Sequence, residues 1–330
     1  MSLDETEQTR MRERLVVGID IGTLTCRLLV ATVTSNGEII PVQTDRRILR
    51  LGEGVDKSKR LTLSAMARVI ETLRAWRNDL ARYPVVATMV VATSAVREAE
   101  NQHEFLELVR KATDFEIEVL TGAKEAEYTL RGIRAGLPVE VKQFIGLDIG
   151  GGSTEFMRAC DHERPSLCSI DVGVVRMTER FLQSDPPTKA AIGQLEHLVR
   201  KEVERIGGDF CWTPETTLVG TAGTITTLAA LVQRLTDYDP SKIHSFVLDL
   251  ATVREWDQRL RTSTRSSRRA LPGLEAGRED VIVTGTILLR VIMEQLGFDR
   301  CVVSEYGLRE GIVWEAARRV RENGEQQEFT

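Results

Sequence analysis

The pentapeptide Gly18-Ile-Asp-Ile-Gly22 returns in the second part of the chain as Gly146-Leu-Asp-Ile-Gly150, with only Ile19 replaced by Leu147. Each copy has the same setting. An apolar run (Leu15 to Ile21, Phe144 to Ile149) carries one aspartate, meets a glycine-bearing turn, and continues into a second strand-like run (Arg27 to Val33, Glu155 to Cys160). A single aspartate inside an apolar strand is costly unless something compensates it. Glycine in the turn lets backbone N–H groups approach a ligand closely. Two hairpins of one design, each opening one half of the chain, imply a duplicated α/β domain.

The segments between the copies alternate in character. Asn36-Gly37 is a strong hairpin signal into Glu38 to Thr44. Leu61 to Arg82, Asn101 to Thr113 and Lys124 to Ala135 have helical spacing, with Thr62 or Ser64 as caps for the first. Val85 to Ala92 and Glu116 to Leu120 read as strands. Beyond the second hairpin, Thr217 to Val219 and Arg300 to Ser304 are strand runs, and Asp280 to Leu296 and Gly307 to Arg321 are helical. No low-complexity linker separates the halves. A short hinge is expected near Gly136-Leu-Pro138, giving a lead-in over 1–14 and domains over 15–136 and 137–330, with a closing helix near 307–321 able to pack back on the first domain.

A length of 330 residues suits two domains. The net charge of −5 provides no overall basic field for duplex nucleic acid, so a polyanion would have to be met by locally concentrated basic groups in a cleft. No apolar stretch is long enough to span a bilayer, and the charged N-terminus lacks the apolar region of a signal peptide. The five cysteines form no CxxC pair and the four histidines are scattered, so neither a disulfide framework nor a zinc site is indicated. A cytoplasmic protein with buried, reduced thiols is expected.

The glycine turns carry the chemistry. Gly22, Thr23 and Thr25 in the first, and Gly150, Gly151, Gly152, Ser153 and Thr154 in the second, offer backbone and hydroxyl donors to phosphate oxygens. The competing reading is a plain hairpin with a capping aspartate. Gly220-Thr-Ala-Gly-Thr224 joins a strand to a helix, so Gly223 and Thr224 are candidates for a third phosphate contact at a helix N-terminus. A tight strand-to-helix turn is its alternative. Asp20 and Asp148, placed before the turns, suit a hard cation held directly or through water.

Together with Ala92-Thr-Ser-Ala-Val-Arg-Glu-Ala99, Thr121-Gly-Ala-Lys-Glu-Ala126, Asp148-Ile-Gly-Gly-Gly-Ser-Thr-Glu155, Leu271-Pro-Gly-Leu274 and Gly307-Leu-Arg-Glu-Gly311, these segments stand in the order seen in exopolyphosphatases and guanosine pentaphosphate phosphohydrolases. From about Val16 to Glu315 the chain resembles this Ppx/GppA phosphatase family, in its short two-domain form. The resemblance implies duplicated actin-like (ribonuclease H-like) domains facing a central cleft, and hydrolysis of terminal phosphoanhydride bonds. It implies Glu125 as the carboxylate that activates water and Arg97 as an arginine on phosphate. It further implies Asp148 and Glu155, with Asp20, near Mg²⁺, for which Mn²⁺ is a substitute. A base beside bound phosphates is repelled by them, which raises its pKa and suits proton abstraction.

Two positions depart from the pattern. Thr23-Leu24-Thr25 replaces the usual Ser-Asn-Ser, removing a polar group, and Lys124 replaces the first of two adjacent glutamates. Lys124 either brings charge to the cleft or faces solvent. Arg259, Arg261, Arg265, Arg268, Arg269 and Arg278 form the densest cationic stretch, either a track for a long polyanion or a solvated surface. Longer members of the family add a helical half linked to long-chain binding and dimer contacts, so a homodimer stays open. The substrate alternatives are inorganic polyphosphate and guanosine pentaphosphate. An alarmone sensor with weak catalysis and a kinase of the wider actin-like group are the other classes, and the Arg97 and Glu125 motifs argue against the kinase.

Overall fold

A computed structural model describes residues 15–34, 36–161, 163–206, 210 and 212–328. The expected lead-in over 1–14 lies outside them, as do His162 and Cys211. In chain order the elements used below are β1 (Leu15–Ile21), β2 (Thr25–Val33), β3 (Ile39–Ile48), α1 (Leu63–Leu80), β4 (Val85–Ala92), α2 (Ser94–Arg97), α3 (Gln102–Thr113), β5 (Ile117–Val119) and α4 (Gly122–Gly136). They continue with β6 (Gln143–Ile149), β7 (Thr154–Cys160), β8 (Ser166–Ile170), α5 (Val174–Phe181), α6 (Lys189–Glu204), β9 (Thr217–Thr221), α7 (Ala222–Gln233), β10 (Val247–Asp249), α8 (Leu250–Thr262), α9 (Val281–Leu296), β11 (Arg300–Val303) and α10 (Leu308–Glu328).

The chain divides into two compact units. One combines the described residues up to Ala135 with those from Leu308 onward, and the other spans Gly136–Gly307. The second unit therefore ends at Gly307 rather than running to the C-terminus.

In the first unit the sheet order is β3-β2-β1-β4-β5, with β1–β2 and β2–β3 antiparallel and β1–β4 and β4–β5 parallel. All seven residues of β1 are buried, as a central strand covered on both faces requires. Alternate residues serve different cores. Leu15, Val17, Ile19 and Ile21 meet one hydrophobic cluster, shared with Met66, Val69, Leu73 and Trp76 of α1 and Phe105 and Val109 of α3. Val16 faces the other, shared with Ile312, Val313 and Ala316 of α10. The closing helix belongs here because it lies directly against β1: a Cβ on Gly18 would come within 2.9 Å of Val313. Thr62 caps α1 by accepting from Ala65 N–H, and Gly37, at φ +88°, makes the β2–β3 turn.

The second unit repeats the plan. Its sheet order is β10-β11-β9-β6-β7-β8, with β6, β7 and β8 antiparallel and β6, β9 and β11 parallel; antiparallel β10 is an added edge. Both units are thus actin-like α/β domains. Helix α9 is buried from Val281 to Met293, so it reads as continuous hydrophobic sequence rather than as an amphipathic stripe. Among the described residues, no helix is long and apolar enough to cross a membrane.

Candidate active site

In the first unit the parallel strands deliver their C-terminal ends to one edge, where sites of open α/β sheets lie. Thr93 N–H donates to Ile21 O, and Leu120 N–H to Ala92 O, tying the ends of β1, β4 and β5 together. Arg97 ends the single turn α2, and Glu125 lies in the first turn of α4. Far apart in sequence, they form an ion pair: Arg97 Nη1 donates to Glu125 Oε2 at 3.0 Å and to Leu120 O at 2.8 Å. The Glu125 side chain is 9% exposed and that of Arg97 23%, so the pair is shielded yet reachable. The structure thus brings together the two residues expected to act on water and phosphate.

The loop after β1 has its carbonyls occupied. Thr23 O accepts from Gly52 N–H, and Leu24 O accepts from Leu49 and Arg50 N–H, each at 2.9 Å. Gly22 N–H returns to Thr25 O. Leu24 is buried, so its replacement of a polar residue supports the hydrophobic core. Thr23, Thr25 and Asp20 are also buried. The segment that backs this loop depends on Gly52, where a Cβ would collide with the Thr23 side chain.

The loop after β6 is backed in the same way by the start of α5. Val174 N–H donates to Gly150 O at 2.9 Å, and Val175 and Arg176 N–H to Gly151 O at 2.8 and 3.3 Å. Arg176 Nε donates to Gly152 O at 2.8 Å. In a trans peptide the C=O and the following N–H point in opposite directions. With the carbonyls of Gly150, Gly151 and Gly152 held against α5, the N–H groups of Gly151, Gly152 and Ser153 point away from it. Three successive donors on one side form an anion-binding nest.

The hydroxyls behave differently. Thr154 Oγ1 donates to Val172 O, and Thr224 Oγ1 to Ile149 O at 3.1 Å. Their hydroxyl protons are spent inside the fold. Ser153 is 2% exposed. The third glycine turn places Ala222 at φ +69°, a left-handed conformation that costs a non-glycine residue about 1 kcal/mol. Gly223 lies under the Arg278 guanidinium, whose Cζ would be 2.7 Å from a Cβ there.

Asp148 and Glu155 stand directly opposite each other across the β6–β7 ladder, 9% and 1% exposed. Ser169 Oγ donates to Glu155 Oε1 at 2.7 Å. Buried carboxylates facing each other repel, and a hard cation would relieve this. Among the described residues no group of three His, Cys, Asp or Glu side chains could hold a metal. The oxygen donors nevertheless fit Mg²⁺, which commonly takes one or two carboxylates and completes its shell with water and substrate phosphates. Asp20 belongs to the first unit. Burial pushes the Cys301 thiol up to about 12, and burial together with Asp20 raises that of Cys26, so both are poor ligands.

The other charges find partners. Lys124 pairs with Glu127 at 3.1 Å and lies over the Tyr128 ring at 4.9 Å, so its charge stays on its own helix. Of the two readings of the arginine stretch, the polyanion track is left with few unpaired cations: Arg261 pairs with Asp257 and Glu196, Arg268 with Asp185, Arg269 with Glu279 and Arg278 with Glu275, and Arg259 packs on Trp256. Arg268 is 3% exposed and also donates to Glu279 O and Ser263 O. These arginines hold the loops of the second unit.

A profile of the Ppx/GppA phosphatase family matches residues 29–320. The chain belongs to that family. It is 38% identical over 309 residues to exopolyphosphatase 2 of Mycobacterium tuberculosis, covering 90% of this chain and 97% of the relative. A guanosine-5'-triphosphate,3'-diphosphate pyrophosphatase of Aeromonas salmonicida is 28% identical, covering 91% of this chain and 59% of the relative. The crystal structure of an Aquifex aeolicus member superposes with a TM-score of 0.78 at 30% identity, covering 94% of this chain and 99% of that one. As a member of this family the chain is a phosphoanhydride hydrolase.

Sequence reasoning missed Gly52, Gly173 and Arg176 as parts of the site. Their signal lies in the loop carbonyls, which must be satisfied by something. Nothing in a linear sequence says by what.

Proposed function

We propose that the chain is an exopolyphosphatase that removes terminal orthophosphate from inorganic polyphosphate. The observation that carries this reading is the shielded Arg97–Glu125 pair, a fixed carboxylate suited to orienting water. Nucleophilic water gives its proton to Glu125, its oxygen bonds to the terminal phosphorus, and the bridging P–O bond breaks. Orthophosphate leaves, with the chain one phosphate shorter. Arg97 fixes the carboxylate while its remaining donors are available to phosphate oxygens. The N–H groups of Gly151, Gly152 and Ser153 hold phosphate oxygens and stabilise charge without reorganising. Gly22, Thr23 and Thr25 offer the matching loop of the first unit. Asp148 and Glu155 would hold Mg²⁺ or Mn²⁺, which would supply neutralisation of phosphate charge.

The share of identity with exopolyphosphatase 2 favours polyphosphate over guanosine pentaphosphate. Phosphate release from short polyphosphate, long polyphosphate and guanosine pentaphosphate, measured side by side with Mg²⁺, tests this. Faster release from polyphosphate is expected. Release from guanosine pentaphosphate alone would make the alarmone the substrate, and tight binding of either without release would make the protein a sensor.

A further inference from the structure

We infer that Arg176 is a positioning residue for phosphate, acting through the Gly152 peptide. This rests on the reading of residues 150–153 as a phosphate loop. Arg176 is 7% exposed, an unusual place for an arginine, and its Nε hydrogen bond to Gly152 O is 2.8 Å long. Gly150 O and Gly151 O are held by the main chain of α5. Gly152 O is the loop carbonyl held by a side chain, so its orientation is set by residue identity rather than by helix geometry. The peptide it fixes is the one that aims Ser153 N–H.

The guanidinium also sits behind the loop. A carbonyl that accepts from a cation is polarised, and its peptide N–H becomes a stronger donor toward an anion on the other side. Arg176 therefore sets both the direction and the strength of a phosphate donor without touching substrate. Gly173 makes the arrangement possible. A Cβ there would collide with the backbone of Gly151 and Gly152, so α5 reaches the loop only because residue 173 has no side chain.

The test compares wild type with Arg176→Met, Arg176→Gln and Arg176→Lys. A charge-assisted hydrogen bond is worth about ten- to a hundredfold in affinity, so KM for polyphosphate should rise about that much in Arg176→Met, with a smaller change in kcat. Arg176→Lys should recover part of the loss. A residue that only supports the fold would instead lower kcat with the folded fraction and leave KM unchanged. If Arg176→Met gives no cooperative melt, Arg176→Gln, which keeps a neutral donor, decides the matter by the same KM comparison. KM within about twofold of wild type in the folded variant overturns the inference. Titration of wild type and variant with inorganic tripolyphosphate, followed by the Gly151, Gly152 and Ser153 amide resonances, separates the two levels. No shift means that the phosphate-loop reading itself fails. Equal shifts and equal affinity in wild type and variant mean that only the role of Arg176 fails.

Discussion

Replacing Glu125 by Gln separates catalysis from stability, and the structure supplies both magnitudes. Gln keeps the shape and an acceptor oxygen, so Arg97 Nη1 retains a partner at the 3.0 Å position and still donates to Leu120 O. The contact passes from an ion pair to a hydrogen bond with one charged partner, a loss of about 1 kcal/mol. For a unit of this size that lowers Tm by about 2–4 °C. Loss of a positioned base costs about 10²–10⁴ in kcat, or roughly 3–5 kcal/mol of barrier, so the kinetic effect should far exceed the structural one. Arg97→Met would be a poorer probe, because stranding a buried carboxylate costs about 3–5 kcal/mol by itself. The assay is phosphate release under saturating polyphosphate, with binding and a thermal melt on the same sample. Turnover within about threefold of wild type would show that Glu125 is not the base. Unchanged kcat with a raised KM would instead make it a binding group.

Dialysis against EDTA should abolish phosphate release, and Mg²⁺ or Mn²⁺ should restore it; full activity in excess chelator would remove the metal from the mechanism. Gly311→Ala should destabilise the first unit by about 1–3 kcal/mol, because the added Cβ falls on the Tyr128 carbonyl, and a melt unchanged from wild type would contradict that packing. The third concerns Glu315. Burial alone would raise its pKa, but hydrogen bonds from Arg318 and Arg319 and the charge of Arg131 hold it down to about 2, against an ordinary 4.5. A depressed carboxylate pKa contributes stability that is present above about 4.5 and lost as pH falls toward 2. The stability advantage of wild type over Glu315→Gln should therefore shrink across that interval in pH-dependent denaturation, and an advantage independent of pH would refute the assignment.

The strands that place the site were legible because their patterns are local. Val85–Ala92 is found as read, and β1 is the apolar run around Asp20. Thr62 caps α1 as its sequence suggests. What escaped were β8, α5, α6 and α8, where alternation is weak or interrupted. Ser166–Ile170 is half-buried throughout, so no polar face marks it. The arginine stretch left two readings open for a related reason. Asp185 and Glu196 neutralise it from other elements, and such pairing is invisible along the chain. The pairing of Arg97 with Glu125 was legible only through the family resemblance, since each alone reads as an ordinary exposed charge.

The two hairpins began as one design, and their differences explain a division of labour. Across the β1–β2 ladder Asp20 stands opposite Arg27; across the β6–β7 ladder the equivalent Asp148 stands opposite Glu155. One copy places a cation opposite its aspartate, and the other doubles the negative charge. At 9% and 1% exposure such a pair needs compensation, part of which Ser169 supplies to Glu155. The backing of the loops follows the same logic. Main-chain N–H groups from Leu49, Arg50 and Gly52 hold the first loop, whereas Arg176 adds a cationic side chain behind the second. The two copies of one hairpin thus differ both in the residue opposite the aspartate and in what holds the loop.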